Sequence, residues 1–127
     1  MHKRQEVTHA MKFFNYINER GGRVTPDTIK KPPAEWKSPL DVFEATYKHE
    51  VNVTKMINSL VTLAVKEKDH ATYNMLQWFV AEQVEEEASA DEIRQQLKLI
   101  GRNGRGIWML DRELGQRVFT PSIQEGK

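Results

Sequence analysis

The sequence predicts an all-α fold, a helix bundle with one long crossover, and three observations carry that prediction. Apolar residues recur at spacings of three and four along three segments, which is the period of a helix face. Residues that start or stop helices stand at the segment ends. Between the first and second segments lies a proline-bearing stretch long enough to run the length of a bundle.

The first helix is predicted from about Lys3 to Arg20, with a seam of Glu6, His9, Phe13, Tyr16 and Ile17; Gly21-Gly22 stops it. The stretch from Gly21 to Ser38 holds Pro26, Pro32 and Pro33 and cannot be a regular helix. Extended at ~3.3 Å per residue it reaches roughly 60 Å. The second helix opens at Ser38-Pro39, a good N-cap followed by a proline suited to the first helical position, with Asp41 in the first turn. Its seam is Leu40, Phe43, Tyr47, Glu50, Thr54, Ile57, Val61 and Ala64, and it ends in the polar turn Lys66-Glu67-Lys68. Asp69 caps a third helix with the seam Leu76, Val80, Gln83, Glu86 or Glu87, Ala90, Ile93, Leu97 and Ile100, closed by Gly101. At 1.5 Å per residue this is a rod of roughly 45 Å. The short turn predicts that helices two and three are antiparallel neighbours, while the long link lets helices one and two run parallel. A last amphipathic piece, Ile107 to Arg117, is expected to pack at the end of the bundle.

Bulk properties bound the function. With 127 residues, 39% hydrophobic and 29% charged, the chain is expected to form one domain with a real core. Nineteen basic side chains against eighteen acidic ones leave no basic excess, so no nucleic acid partner is expected. The absence of cysteine excludes disulfides, zinc fingers and thiolate iron–sulfur sites. No signal-like apolar stretch follows Met1, and no run approaches the ~18 apolar residues of a membrane span. A cytoplasmic protein without a membrane partner is expected.

Chemistry enters where the seams are interrupted. Burying a carboxylate costs several kcal/mol unless something positive holds it. Glu6-Val7-Thr8-His9 puts a carboxylate and an imidazole on one helix face, a pair suited to iron, manganese or zinc, although any helix carries such a pair by chance. Glu50 interrupts the apolar seam of helix two; the plainer alternatives are a glutamate snorkelling at the bundle edge, or His49 as the inward group. On helix three, Glu82 and Glu85-Glu86-Glu87 read first as a solvated acidic face, from which helical geometry selects Gln83 and Glu86 (or Glu87) for the interior. Together the three seams predict a carboxylate-bridged metal site. Phe13, Phe14, Tyr16, Trp78 and Phe79 are read as packing residues, and His2, His49 and His70 as surface groups.

Four stretches resemble the non-haem ferritins of bacteria and archaea: Glu6-Val-Thr-His9-Ala-Met-Lys, Arg20-Gly-Gly-Arg23, Tyr47-Lys-His-Glu50, and the run from Asn74 to Glu87. Leu110-Asp-Arg-Glu-Leu114 extends the likeness. The resemblance implies a ferritin-like bundle with one long crossover and an iron-storage function. Fe(II) would be oxidised by dioxygen or peroxide at a di-iron ferroxidase centre, and Fe(III) stored as mineral inside a homo-oligomeric shell. It implies that Glu6 bridges the irons, that His9 binds the first, that Glu50 and Glu86 bind the second with Gln83 beside them, and that Glu82 and Glu85 belong to a nearby third iron site. No haem is implied, because the bacterioferritins place methionine where this chain has Val7 and repeat Glu-x-x-His where it has Gln83 and Glu86. Ferritin subunits also carry a helix ahead of Glu-x-x-His that supplies a further glutamate. Five residues precede Glu6 and Gln5 replaces an acidic residue, so residues 1–127 are expected to be a ferritin-like domain truncated at its N-terminus. Three of the four bundle helices, plus a short C-terminal helix, would remain. The competing expectation is a non-catalytic, ferritin-like helical interaction or metal-binding protein.

Overall fold

The structure, a computed structural model, describes residues 2–31, 35–101 and 103–116, with side chains from Glu6 onward. It is all-helical among these residues: α1 (His2–Glu19), α2 (Pro39–Lys66), α3 (His70–Ile100) and α4 (Gly104–Gly115). The final helix begins three residues before the predicted Ile107, because Asn103 caps it. The Asn103 side-chain oxygen accepts from the backbone N–H of Arg105 (3.1 Å) and Gly106 (3.2 Å). The predicted end at Arg117 lies outside the described residues, as do Pro32 and Pro33 of the crossover.

The chain divides into two compact units, residues 1–32 with 108–127, and residues 33–107. Within the first, α1 stops through a Schellman turn. Gly22 N–H donates to the Ile17 carbonyl (2.9 Å) and Gly21 N–H to the Asn18 carbonyl (3.1 Å), with Gly21 at φ +76°. That left-handed conformation is why glycine stands there.

The second unit is a helical hairpin. Ser38, in an extended conformation, accepts from Asp41 N–H at 3.2 Å and so satisfies one of the free donors at the start of α2. At the far end Lys68 takes φ +54°, and Asp69 N–H reaches back to the Ala64 carbonyl at 2.9 Å. Asp69 then caps α3, accepting from the backbone N–H of Thr72 (3.1 Å) and from its hydroxyl (2.6 Å). The connection is therefore Glu67, Lys68 and Asp69, and α3 turns back along α2. Cross-helix pairs confirm the antiparallel sense, since Glu44 meets Arg94 and Lys98 whereas Glu50, further along α2, meets Gln83, further back on α3.

The buried residues keep a seven-residue step. On α2 they are Glu50, Ile57 and Ala64; on α3 Leu76, Gln83, Ala90 and Leu97 repeat at seven, with Phe79 and Ile93 on the companion positions. A seven-residue step is the spacing expected of two helices packed along a common seam. Phe79, at 3% exposure, belongs to that seam, where the sequence reading had placed Val80; Val80 is half-buried at its edge. Phe79 also meets Trp78 edge-on, with ring centroids 4.9 Å apart. Glu50 and Gln83 thus occupy core positions that an apolar residue would otherwise fill.

Candidate metal centre

Glu50 and Gln83 are the two buried polar residues among the described ones, 8% and 4% exposed. The Gln83 amide nitrogen lies 3.2 Å from the Glu50 carboxylate Oε2, 3.1 Å from the Glu50 carbonyl and 3.2 Å from the Thr54 hydroxyl. It donates its two hydrogens into this set of three acceptors. One turn along α2, the Thr54 hydroxyl stands 2.5 Å from Glu87 Oε2 and 3.0 Å from the Glu50 carbonyl. A hydroxyl has one hydrogen, and the nearer, charged acceptor takes it. The arrangement is a chain of neutral donors, Gln83 to Glu50 on one side and Gln83 through Thr54 to Glu87 on the other.

Two cations of this hairpin, Arg94 and Lys98, are engaged elsewhere. Arg94 bonds Asp91 at 2.5 Å and Glu44 at 3.3 Å, and its guanidinium lies 4.0 Å above the Tyr47 ring. Lys98 reaches Glu44 at 3.3 Å. The Arg94 hydrogen bond holds the Asp91 carboxyl below the usual carboxylate range, and the same bond raises Arg94. Among the described residues no cationic side chain pairs with Glu50, which leaves a buried carboxylate accompanied by a neutral amide. Hard oxygen donors in that state suit iron or manganese better than a soft metal.

The remaining sequence-predicted residues are distributed as follows. His49 is exposed, so Glu50 and not His49 is the inward group; His70 is exposed as well. Glu86 and Glu87 are both half-buried, Glu82 is half-buried and Glu85 faces outward. Glu6 is exposed and His9 half-buried on α1, within the other compact unit. No three of the histidine and carboxylate side chains described converge on one point at metal-binding range. Thr54 is a residue whose hydrogen bonds to the buried pair and to Glu87 the sequence reading does not foresee. It stood on the predicted seam as packing, and its signal was its place one turn after Glu50, on the same face. No described helix is long and apolar enough to cross a membrane.

An all-helical chain that packs long helices along facing seams falls in the class of helix bundles. Residues 2–100 match the family described as Ferritin, the ferritin-like domain. The chain is 46% identical over 110 residues to the bacterial non-heme ferritin of Campylobacter jejuni, spanning 87% of this chain and 66% of that one. It is 40% identical over 115 residues to a probable bacterial non-heme ferritin-like protein of Haemophilus influenzae, spanning 91% and 70%. The solved open pore ferritin of the archaeon Archaeoglobus fulgidus superposes with a TM-score of 0.89 at 56% identity, over 91% of this chain and 71% of that chain. This chain belongs to the ferritin family. It spans about two thirds of the length of the curated relatives it matches.

Proposed function

We propose that this protein binds Fe(II), promotes its oxidation to Fe(III) by dioxygen or peroxide, and stores the product as mineral within a shell of identical subunits. Glu6 would bridge two irons, with His9 on the first and Glu50 and Glu86 on the second. Gln83 would orient Glu50 through its amide N–H, and Glu82 with Glu85 would form a third site that draws cations toward the centre. Anionic oxygen ligands stabilise the more highly charged ion, so a carboxylate-rich site lowers the barrier to losing an electron from Fe(II). The observation that carries the reading is Glu50, a carboxylate at a core position with a neutral protein partner and no cation beside it among the described residues.

The test is aerobic oxidation of Fe(II) by the metal-free protein, followed by the rise of Fe(III) absorbance, with iron retained per chain measured after gel filtration. The proposal expects oxidation faster than in buffer, slowed at least about tenfold by Glu50→Ala, with many irons retained per chain. A rate equal to buffer and untouched by Glu50→Ala would leave a non-catalytic helical protein. Fast turnover with no iron retained would indicate an oxidant-consuming protein and not a store.

A further inference from the structure

We propose that Thr54 is a positioning residue of this site, coupling the carboxylates of Glu50 and Glu87 through the Gln83 amide. The inference rests on the reading of Glu50 as an iron ligand. Its basis is the count of hydrogens in the network. The Gln83 nitrogen carries two hydrogens and stands within 3.2 Å of three acceptors. Which acceptors are served depends on the Thr54 hydroxyl. Glu87 lies 2.5 Å from that oxygen and, when ionised, can only accept, so the hydroxyl hydrogen points to Glu87 and a lone pair faces Gln83. One amide hydrogen is then anchored on Thr54, and planarity of the amide delivers the other to the Glu50 side, where the carboxylate and the carbonyl lie.

Thr54 is suited to this by its attachment. Its place one turn after Glu50 on the same helix puts the hydroxyl oxygen 3.0 Å from the Glu50 carbonyl, so the backbone of α2 fixes where that oxygen stands relative to Glu50. It faces α3 across a separation of 33 residues in sequence, where Glu87 is half-buried. The interaction of Glu87 with Thr54 is the side-chain hydrogen bond the structure gives this carboxylate. Without the hydroxyl, Gln83 would lose one of the two anchors that fix its amide plane, and Glu87 would lose the donor that turns it toward α2. Glu50, the ligand, would then be free to leave the orientation that the network gives it.

The test uses Co(II) as a spectroscopic probe, titrated into the metal-free protein and read by its visible absorption. The variants are Thr54→Val, which keeps the shape and removes the hydroxyl, Thr54→Ser, which restores the hydroxyl, and Gln83→Leu. Two controls complete the set. Thr62→Val removes an exposed hydroxyl that also bonds its own helix, at 3.0 Å from the Asn58 carbonyl. Ile57→Val perturbs the same core seam but removes no hydrogen-bonding group. The proposal expects Thr54→Val to weaken Co(II) binding about tenfold and change the band shape. Thr54→Ser should return affinity to within about twofold, and the two controls should bind as wild type. If Gln83→Leu weakens binding while Thr54→Val does not, Gln83 orients Glu50 unaided and the role of Thr54 is refuted. If Thr54→Ser fails to rescue, or Ile57→Val weakens binding equally, the effect is packing and the proposal falls. If Glu50→Ala leaves Co(II) binding unchanged, the underlying assignment of Glu50 as a ligand fails, and the proposal with it.

Discussion

Replacing Glu50 with leucine should stabilise the metal-free protein and destabilise it relative to wild type once iron is present. Glu50 is 8% exposed and receives one side-chain hydrogen bond, from Gln83 at 3.2 Å. A hydrogen bond to a charged group contributes about 1.5–3 kcal/mol. The desolvation penalty of a buried carboxylate is several kcal/mol, and no cation among the described residues offsets it. Leucine at the same heptad position buries apolar surface beside Ile57 on the seam, contributing about 1.5–3 kcal/mol less roughly 1 kcal/mol for imperfect shape. Gln83 is not orphaned by the change, since the Glu50 position keeps its carbonyl at 3.1 Å and Thr54 its hydroxyl at 3.2 Å. The net expectation is a gain of about 2 kcal/mol, or about 8 °C in Tm for a chain of this size. With Fe(II) added anaerobically at ~100 times Kd, wild type gains about 2.7 kcal/mol by linkage and Glu50→Leu gains nothing from this site, so the order of melting temperatures reverses. The assay is thermal unfolding by circular dichroism, with chelator and with Fe(II). A metal-free Glu50→Leu that melts below wild type would refute the reasoning, because it would mean the protein itself satisfies the carboxylate.

Two further outcomes follow from the same hairpin. Because Asp91 is held below its usual range by Arg94, its contribution is fully present at neutral pH and is lost as pH falls through its lowered value in the folded protein. Arg94→Met should therefore lower the urea midpoint at pH 7, and the gap to wild type should shrink on the acid side of the usual carboxylate range; a gap that is constant with pH would count against the pair. Leu76→Ala, at a side chain only 1% exposed in the first half of α3, should cost about 3 kcal/mol, seen as a lower urea midpoint with unchanged slope.

Much of the hairpin was legible in the chain because its signals are local. Ser38-Pro39, Asp69 and Gly101 each act on a backbone within a few residues, and the helices begin and end where these residues stand. The three-and-four spacing put Glu50 and Gln83 on inward faces, since side-chain direction in a helix is set by position alone. Phe79 is a packing residue, as its sequence context predicts, but the seam runs through it and not through Val80, because a stripe that alternates three and four steps can be drawn through either of two neighbouring residues. Its course is settled by which residues meet α2.

The choice between Glu86 and Glu87 shows the limit of such reasoning. Both lie within the width of an inward stripe, and sequence spacing treats them alike. The structure gives Glu87 a partner on the facing helix that spacing does not reveal, Thr54, 33 residues away. The same holds for Arg94, which bonds Asp91 one turn back on its own helix and also meets Glu44 and the ring of Tyr47 on α2. The sequence by itself determined the helical class, the helix ends and the presence of carboxylates on apolar seams, because those follow from backbone conformation and periodicity within one segment. Only the tertiary structure decided which polar groups meet, with Gln83 set between Glu50 and Thr54, and Thr54 against Glu87. The physical reason is that hydrogen bonds act over about 3 Å, and a match that close depends on the axial register of two long helices, which is set by the packing of their whole seam.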